Sequence, residues 1–143
     1  MKTFNKRARF DYKLEGDRFE TGLVLSGGEA KAVRTGHTDL SQSVARVLNG
    51  EVWLINANIP VLGAKNYNST RSRKLLLHKF EILSIATKMK QRKLTLVPLS
   101  LYNKGRLIKL KLALGKPKRK FEKRQAIKAK DIEREIAKEL RVS

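Results

Sequence analysis

Ser43-Val44-Ala45-Arg46-Val47-Leu48-Asn49-Gly50-Glu51-Val52-Trp53-Leu54-Ile55 is the stretch that decides the fold. Two strand-like runs flank Asn49-Gly50. Both central residues of a type I′ turn need positive φ, which Asn and Gly tolerate best, so the segment reads as a tight β-hairpin. Pro60, just beyond, should end the second strand or hold it near an edge. Upstream, Phe19, Leu23 and Leu25 share one parity while Glu20, Gly22 and Val24 share the other, which predicts a half-buried strand. Gly27-Gly28 closes that strand, and Glu29 to Thr35 reads as a short helix stopped by Gly36 at C′.

Downstream, Asn66 to Thr70 is a polar loop, and from Arg71 to about Lys90 the period becomes helical. Leu75, Ile82, Leu83, Ala86 and Met89 form the predicted apolar stripe. Two more strands follow, Leu94 to Tyr102 and Arg106 to Leu114. In the second, Ile108, Leu110, Leu112 and Leu114 alternate with Lys109 and Lys111, giving an apolar inner face and a basic outer face. Pro98 implies an edge or a bulge. Roughly five strands with interspersed helices predict a mainly β chain with flanking helices (α+β), a small partly open barrel and not a parallel α/β sheet.

Gly115 marks a change of character. Between residues 115 and 130, Lys116, Lys118, Arg119, Lys120, Lys123, Arg124, Lys128 and Lys130 stand against Glu122 alone. So few apolar residues cannot offset the entropy of ordering, so this piece is expected to be disordered alone. Beyond it, Ile132, Ile136 and Leu140 recur at helical spacing, a latent amphipathic helix of a length that is marginal in water. The expected division is a barrel over residues 1–114 and a basic tail over 115–143 that becomes helical on a partner.

The 33 Lys and Arg against 13 Asp and Glu leave a formal charge of +20, which gathers polyanions. No apolar run approaches the ~20 residues of a spanning helix, and the charged N-terminus is unlike a signal peptide. Without Cys there are no disulfides, thiolate metal sites or thiol nucleophiles. A cytoplasmic address follows as the expectation. Catalytic constellations are missing from the pattern. His37 and His78 have no further ligands at metal spacing. Glu20, Glu29, Asp39 and Glu51 are scattered and read as partners of nearby cations, and Ser41 and Ser43 lack a nucleophile elbow. The reading is a non-enzyme without metal or cofactor. Basic clusters at Lys6 to Arg9, Lys31 with Arg34, Arg71-Arg73-Lys74, Lys88 to Lys93 and the tail share one explanation, a nucleic-acid partner. Aromatic residues are only 6%, with Phe10, Tyr12 and Tyr67 as candidate stacking platforms, which favours recognition of a folded RNA by shape and phosphate position.

Asn5-Lys6-Arg7-Ala8-Arg9, Phe19-Glu20-Thr21-Gly22, Gly28-Glu29-Ala30-Lys31-Ala32-Val33-Arg34, Arg71-Ser72-Arg73-Lys74-Leu75-Leu76-Leu77-His78 and Thr95-Leu96-Val97-Pro98-Leu99-Ser100-Leu101-Tyr102 together resemble, in order, the signature segments of the SsrA-binding (small protein B, SmpB) family. That resemblance implies an oligonucleotide-binding-like (OB-like) β-barrel that binds the tRNA-like domain of transfer-messenger RNA. It also implies delivery of that RNA to stalled ribosomes for trans-translation, with the tail in the decoding centre and empty mRNA channel against rRNA. By position it implies RNA contacts at Asn5, Lys6, Arg7, Arg9, Glu20, Lys31, Arg34, Arg71, Arg73, Lys74 and Leu76. It likewise implies a tail pivot at Gly115 and ribosome contacts at Lys116, Lys118, Lys120, Lys123, Arg124 and Lys128. No membrane is implied, and a monomer is expected. The chain departs from the family pattern where Gly28 and Ala30 replace the common Thr and Val, where Tyr67-Asn68-Ser69 replaces His-Asp-Pro, and in a longer junction after Gly115.

Overall fold

The hairpin forms where the sequence puts it. In a computed structural model that describes residues 2–64 and 66–142, Val44–Leu48 (β3) and Glu51–Ile55 (β4) pair antiparallel, and Asn49 (φ 51°) and Gly50 (φ 75°) both occupy the left-handed region. Around them lie Lys2–Phe4 (β1), Ala8–Asp11 (α1), Tyr12–Leu23 (β2) and Gly27–Arg34 (α2). Further along come Arg73–Leu76 (β5), Lys79–Arg92 (α3), Thr95–Lys104 (β6), Leu107–Pro117 (β7) and Lys120–Val142 (α4).

Among the described residues seven strands form one antiparallel sheet in the order β1-β6-β3-β4-β5-β2-β7. Because β6 also pairs with β7, six of them close into a ring, with β1 added outside on β6. Closure removes the exposed edges that an open sheet of five strands would leave. The barrel is thus more complete than expected from the sequence. Its interior is apolar: Val52, Leu54, Leu75, Leu96, Leu101, Leu110 and Leu112 are buried in one cluster, joined by Ala32 and Val33 from α2 and Ile85 from α3. The alternation at Ile108, Leu110 and Leu112 against Lys109 and Lys111 holds as read.

Several elements differ from the sequence reading. Arg71 to Lys90 is not one helix: β5 occupies Arg73–Leu76, and α3 begins at Lys79 behind His78, whose N–H donates to the Glu81 carboxylate at 3.4 Å. Arg73 and Leu75 point inward with a period of two, and the burial of Arg73 against Glu29 holds this segment in the sheet. The inward face of α3 is Ile82, Ile85, Ala86 and Met89, whereas Leu83 is largely exposed. Gly27-Gly28 belongs to the first turn of α2, which Ser26 caps reciprocally with Glu29. Gly36 does occupy C′, at φ 77°. At Pro98 the β6–β7 register shifts, so the proline marks a bulge. The strand before Pro60 ends earlier, at Ile55. The final strand does not stop at Leu114: Gly115, Lys116 and Pro117 still pair with Leu14, Lys13 and Tyr12.

Beyond β7 the chain is helical from Lys120, and its described side chains from Arg124 onward are exposed, Ile127, Ile132 and Ile136 included. The Leu140 side chain, the third member of the predicted stripe, lies outside the described residues. Among the described residues, contact with the body lies at the root, where Lys118 N–H donates to the Asp11 carbonyl at 2.8 Å and the Lys123 ammonium sits 3.2 Å from the Asp11 carboxylate.

A packing test arises at Gly28. A Cβ there would stand 2.7 Å from Val61 Cγ1 and 3.2 Å from Cγ2, and a β-branched side chain turns aside with difficulty. Gly28→Ala should therefore cost about 1–3 kcal/mol by overpacking. With Val61→Ala in the same chain the space opens, and the ~0.5–1 kcal/mol that Ala gains over Gly within a helix should make the same substitution stabilising. Thermal unfolding of the singles and the double tests this; simple additivity would show that the two sites do not share space.

Candidate nucleic-acid interface

The outer faces of β5, β2, β7, β6 and β1 form a continuous strip, and strand register dictates what stands on it. Leu76 lies opposite Gly22, Gly22 opposite Lys109, Lys109 opposite Tyr102, and Tyr102 opposite Lys2. The next row runs Glu20, Lys111, Ser100, Phe4. Gly22 has no side chain, which leaves room for Leu76 to lie across it, 56% exposed. At the β1 end Asn5 locks the turn onto the Pro98 bulge: its N–H donates to the Leu99 carbonyl at 2.7 Å and its amide Nδ2 to the Pro98 carbonyl at 2.8 Å. Its Oδ1 accepts from the Arg7 N–H at 3.1 Å, so this side chain shapes the site more than it reaches outward.

Beside this lock opens a groove of about 480 Å³ between Lys2, Lys6, Arg9, Arg18 and Lys111, with Ser100, Phe4 and Leu99 in its walls and no carboxylate lining it. Five cations around one groove, without a neutralising partner in its lining, suit the phosphates of a polynucleotide backbone. Glu20 is the acid on the strip. It accepts from the Tyr102 hydroxyl and from Lys104 Nζ at 3.4 Å. The Tyr102 hydrogen bond and the nearby lysines hold its carboxyl below the usual range, while burial and Glu20 push the Tyr102 phenol up to about 12. Glu20 is therefore an ionised acceptor and Tyr102 a donor at neutral pH.

The structure brings Asn5, Lys6, Arg9, Glu20 and Leu76 onto this one face. Lys31 and Arg34 are exposed on α2, and Arg34 Nη2 donates to the Arg106 carbonyl at 3.0 Å, tying α2 to the turn between β6 and β7. Arg7 is engaged with Asp11 at 3.2 and 3.3 Å, which lowers the Asp11 pKa, and it lies over the Phe10 ring. Lys74 pairs with Glu51 at 3.2 Å. One assignment changes. Arg73 is 0% exposed and cannot reach a ligand; it donates to Glu29 and to the carbonyls of Ala57, Ile59 and Ser69. Arg71 is bonded to Glu29 and to the Tyr67 hydroxyl, which braces the scaffold, while part of its side chain stays at the surface.

In the tail set, Gly115 is buried inside β7, where a Cβ would stand 3.2 Å from the Lys13 carbonyl oxygen, so close strand approach explains a glycine there. Lys116 lies on the same strand, Lys118 bonds α1 through its N–H, Lys123 pairs with Asp11, and Lys120, Arg124 and Lys128 are exposed on α4. Sequence reasoning left out Lys2, Arg18, Tyr102, Lys104, Lys109 and Lys111. The alternation that put Lys109 and Lys111 on an outer face was the available signal; the distant strands beside them were not legible from it. Among the described residues no three His, Asp or Glu cluster as metal ligands would, and no helix is long and apolar enough to cross a membrane.

Closed barrel, cationic strip and projecting basic helix together define a small RNA-binding β-barrel protein. The family model described as SmpB protein matches residues 2–142. The SsrA-binding protein of Halothermothrix orenii is 50% identical over 135 residues, covering 92% of this chain and 86% of the relative. That of Acidothermus cellulolyticus is 46% identical over 139 residues, covering 95% and 87%. A solved structure described as "tmRNA-SmpB: a journey to the center of the bacterial ribosome" superposes with a TM-score of 0.69 at 37% identity, covering 88% of this chain and 94% of the other. The chain belongs to the SmpB family.

Proposed function

We propose that this protein binds the tRNA-like domain of transfer-messenger RNA and delivers it to stalled ribosomes for trans-translation, acting in the cytoplasm as an adaptor and not as an enzyme. The observation that carries this is the groove lined by Lys2, Lys6, Arg9, Arg18 and Lys111 without a carboxylate, on a chain of the SmpB family. The strip holds the folded RNA by phosphate position, with Asn5 fixing its floor and Glu20 and Leu76 offering a base-edge acceptor and an apolar contact. In this reading Lys120, Arg124 and Lys128 meet ribosomal RNA, and α4 occupies the decoding centre and empty mRNA channel. Purification of the protein from cells followed by sequencing of bound RNA tests the reading. A transcript with an acceptor-stem-like end is expected, and a pool lacking one overturns it.

Electrostatics adds a quantitative check. If about six phosphates are neutralised, affinity should fall roughly 10³-fold between 50 and 200 mM salt. Lys111→Glu should weaken binding of tRNA-like RNA and flatten that slope, whereas Lys130→Glu, far out on α4, should leave both unchanged. Equal effects in a salt titration would remove the strip from the interface.

A further inference from the structure

Most aromatic rings of this chain already have partners. Phe10 lies under Arg7 at 5.3 Å and Lys123 at 5.8 Å, and Phe4 and Tyr102 flank the Lys2 ammonium at 5.2 Å each. Phe19 faces Lys88 at 6.0 Å, and the Tyr67 hydroxyl accepts from Arg71. Phe80 stands apart. It is 72% exposed, the highest value for a large apolar side chain among the described residues, and sits in the first turn of α3 with the His78 ring stacked on it. The ring centroids are 5.6 Å apart and the planes 6° from parallel.

We propose that the His78–Phe80 stack is a platform for one unpaired nucleobase of the bound RNA. This rests on the RNA-binding function proposed above and extends its footprint from the strip onto α3. Centroid spacings of about 4.5–7 Å are those of a closed aromatic pair, so a base adds to an outer ring face and does not insert between the rings. The pair is preorganised: His78 is the N-cap residue of α3, its backbone is fixed by Glu81, and its ring lies at helix-start geometry before any ligand arrives. Continuity with the strip comes through Leu76, two residues earlier and exposed beside Gly22. Lys79 lies between the two rings in sequence, and although Glu81 stands 4.0 Å from the His78 ring the chain carries a net charge of +20, so the matching occupant is polyanionic with flat apolar faces. A nucleotide has both properties. Stacking is sequence-tolerant because every base has a π-face. This platform adds to the candidate rings Phe10, Tyr12 and Tyr67, of which Phe10 already lies under two cations and Tyr67 holds Arg71 through its hydroxyl.

The test uses the full chain and a transcript of the tRNA-like domain of transfer-messenger RNA. Phe80→Leu keeps apolar bulk and the helix but removes the π-face, and should weaken binding roughly 5- to 150-fold. Phe80→Trp should bind at least as tightly as the parent, with its indole fluorescence quenched on addition of RNA. Stacking releases no counterions, so the loss for Phe80→Leu should be the same at 50 and 200 mM salt. Binding of Phe80→Leu within twofold of the parent overturns the platform. So does a defect confined to ribosome association with RNA affinity intact, which would assign Phe80 to a protein contact. If the parent chain itself fails to bind the transcript, the proposed function falls and the platform with it.

Discussion

Glu29→Ala is expected to remove a large share of the stability of the barrel while leaving the surface that meets RNA untouched. Glu29 is fully buried at the start of α2. Its carboxylate accepts from Arg73 Nε at 2.8 Å and Nη2 at 2.5 Å, from Arg71 Nη2, and from the Ser26 N–H at 3.0 Å. Arg73 in turn donates to the Ala57, Ile59 and Ser69 carbonyls at 2.7, 3.3 and 2.9 Å. One carboxylate thus joins α2, β5 and the loop between β4 and β5. Removing it strands a guanidinium in the interior, a change that costs about 3–5 kcal/mol, against a total of roughly 5–15 kcal/mol for a domain. A fall in Tm on the order of 10–20 °C is the expected reading. The double substitution Glu29→Leu with Arg73→Met removes both charges, and should recover part of the loss but not all of it, since the Ala57 and Ile59 carbonyls lose the Arg73 donor and Ser69 keeps only the Ile59 N–H of its two. RNA affinity measured well below Tm should stay at the parent value for both variants. A specific loss of affinity in folded Arg73→Met protein would return Arg73 to the interface.

The same group sets an acid limit. Burial pushes the Glu29 carboxyl up, but Arg71, the Ser26 N–H, Tyr67 and Arg73 together outweigh it and hold the pKa at about 2, against 4.5 ordinarily. A carboxyl with a lowered folded-state pKa stabilises the fold fully above its unfolded value and progressively less as pH falls from about 4.5 towards 2. In Glu29→Ala that part of the acid dependence should vanish, which unfolding midpoints across this window would reveal.

Glu29 also marks where the sequence was legible and where it was not. Local signals carried through: Asn49-Gly50 made its turn, Gly36 ended its helix, Pro98 made a bulge, and Lys109 and Lys111 face outward. The failures share a cause. Leu75 and Ile82 stand seven residues apart, which fits two helical turns, so a strand and a helix joined at Leu77-His78 imitate one long helix. What makes Arg73–Leu76 a strand is its pairing with β4 and β2, braced by the ion pair of Arg73 with Glu29, 44 residues away, and no local period carries those contacts. Ring closure by β6–β7 is likewise long-range in its consequence. The groove cations come from β1, the turn after it, α1, β2 and β7, spread widely in sequence, so composition announced a polyanion partner while only register could assemble its surface. Glu29 and Arg73 looked like one member each of a scattered acid set and a basic cluster; burial separates them from both.

Ending the chain after Arg119 should leave binding of tRNA-like RNA within a few-fold of the parent yet abolish peptide tagging on stalled ribosomes. The place of the cut matters. Gly115, Lys116 and Pro117 close β7 against β2, and Lys118 bonds α1, so a cut after Leu114 would damage the barrel and confound the result. A cut after Arg119 removes α4, whose side-chain contacts with the body, among the described residues, centre on Lys123 beside Asp11 and Phe10. Little apolar surface of the barrel is newly exposed, so its Tm should hardly move. What is lost is a cationic rod, Lys120, Lys123, Arg124, Lys128 and Lys130, followed by a stretch of sequence whose four acids, Asp131, Glu133, Glu135 and Glu139, are set against three bases, Arg134, Lys138 and Arg141. The first half is built to meet phosphate, whereas the second is close to neutral and carries the exposed Ile132 and Ile136. A helix with an uncovered apolar stripe has little to stabilise it in water and gains order from a surface that covers the stripe. The two halves should therefore fail differently. Charge reversal at Lys120, Arg124 and Lys128 should weaken ribosome engagement in a salt-dependent way, and Ile132→Ser with Ile136→Ser should weaken it by an amount that salt does not change. Tagging assays on programmed stalled ribosomes supply the readout. Full tagging by the chain ending at Arg119 would show that the barrel alone delivers its RNA, and would remove α4 from the mechanism.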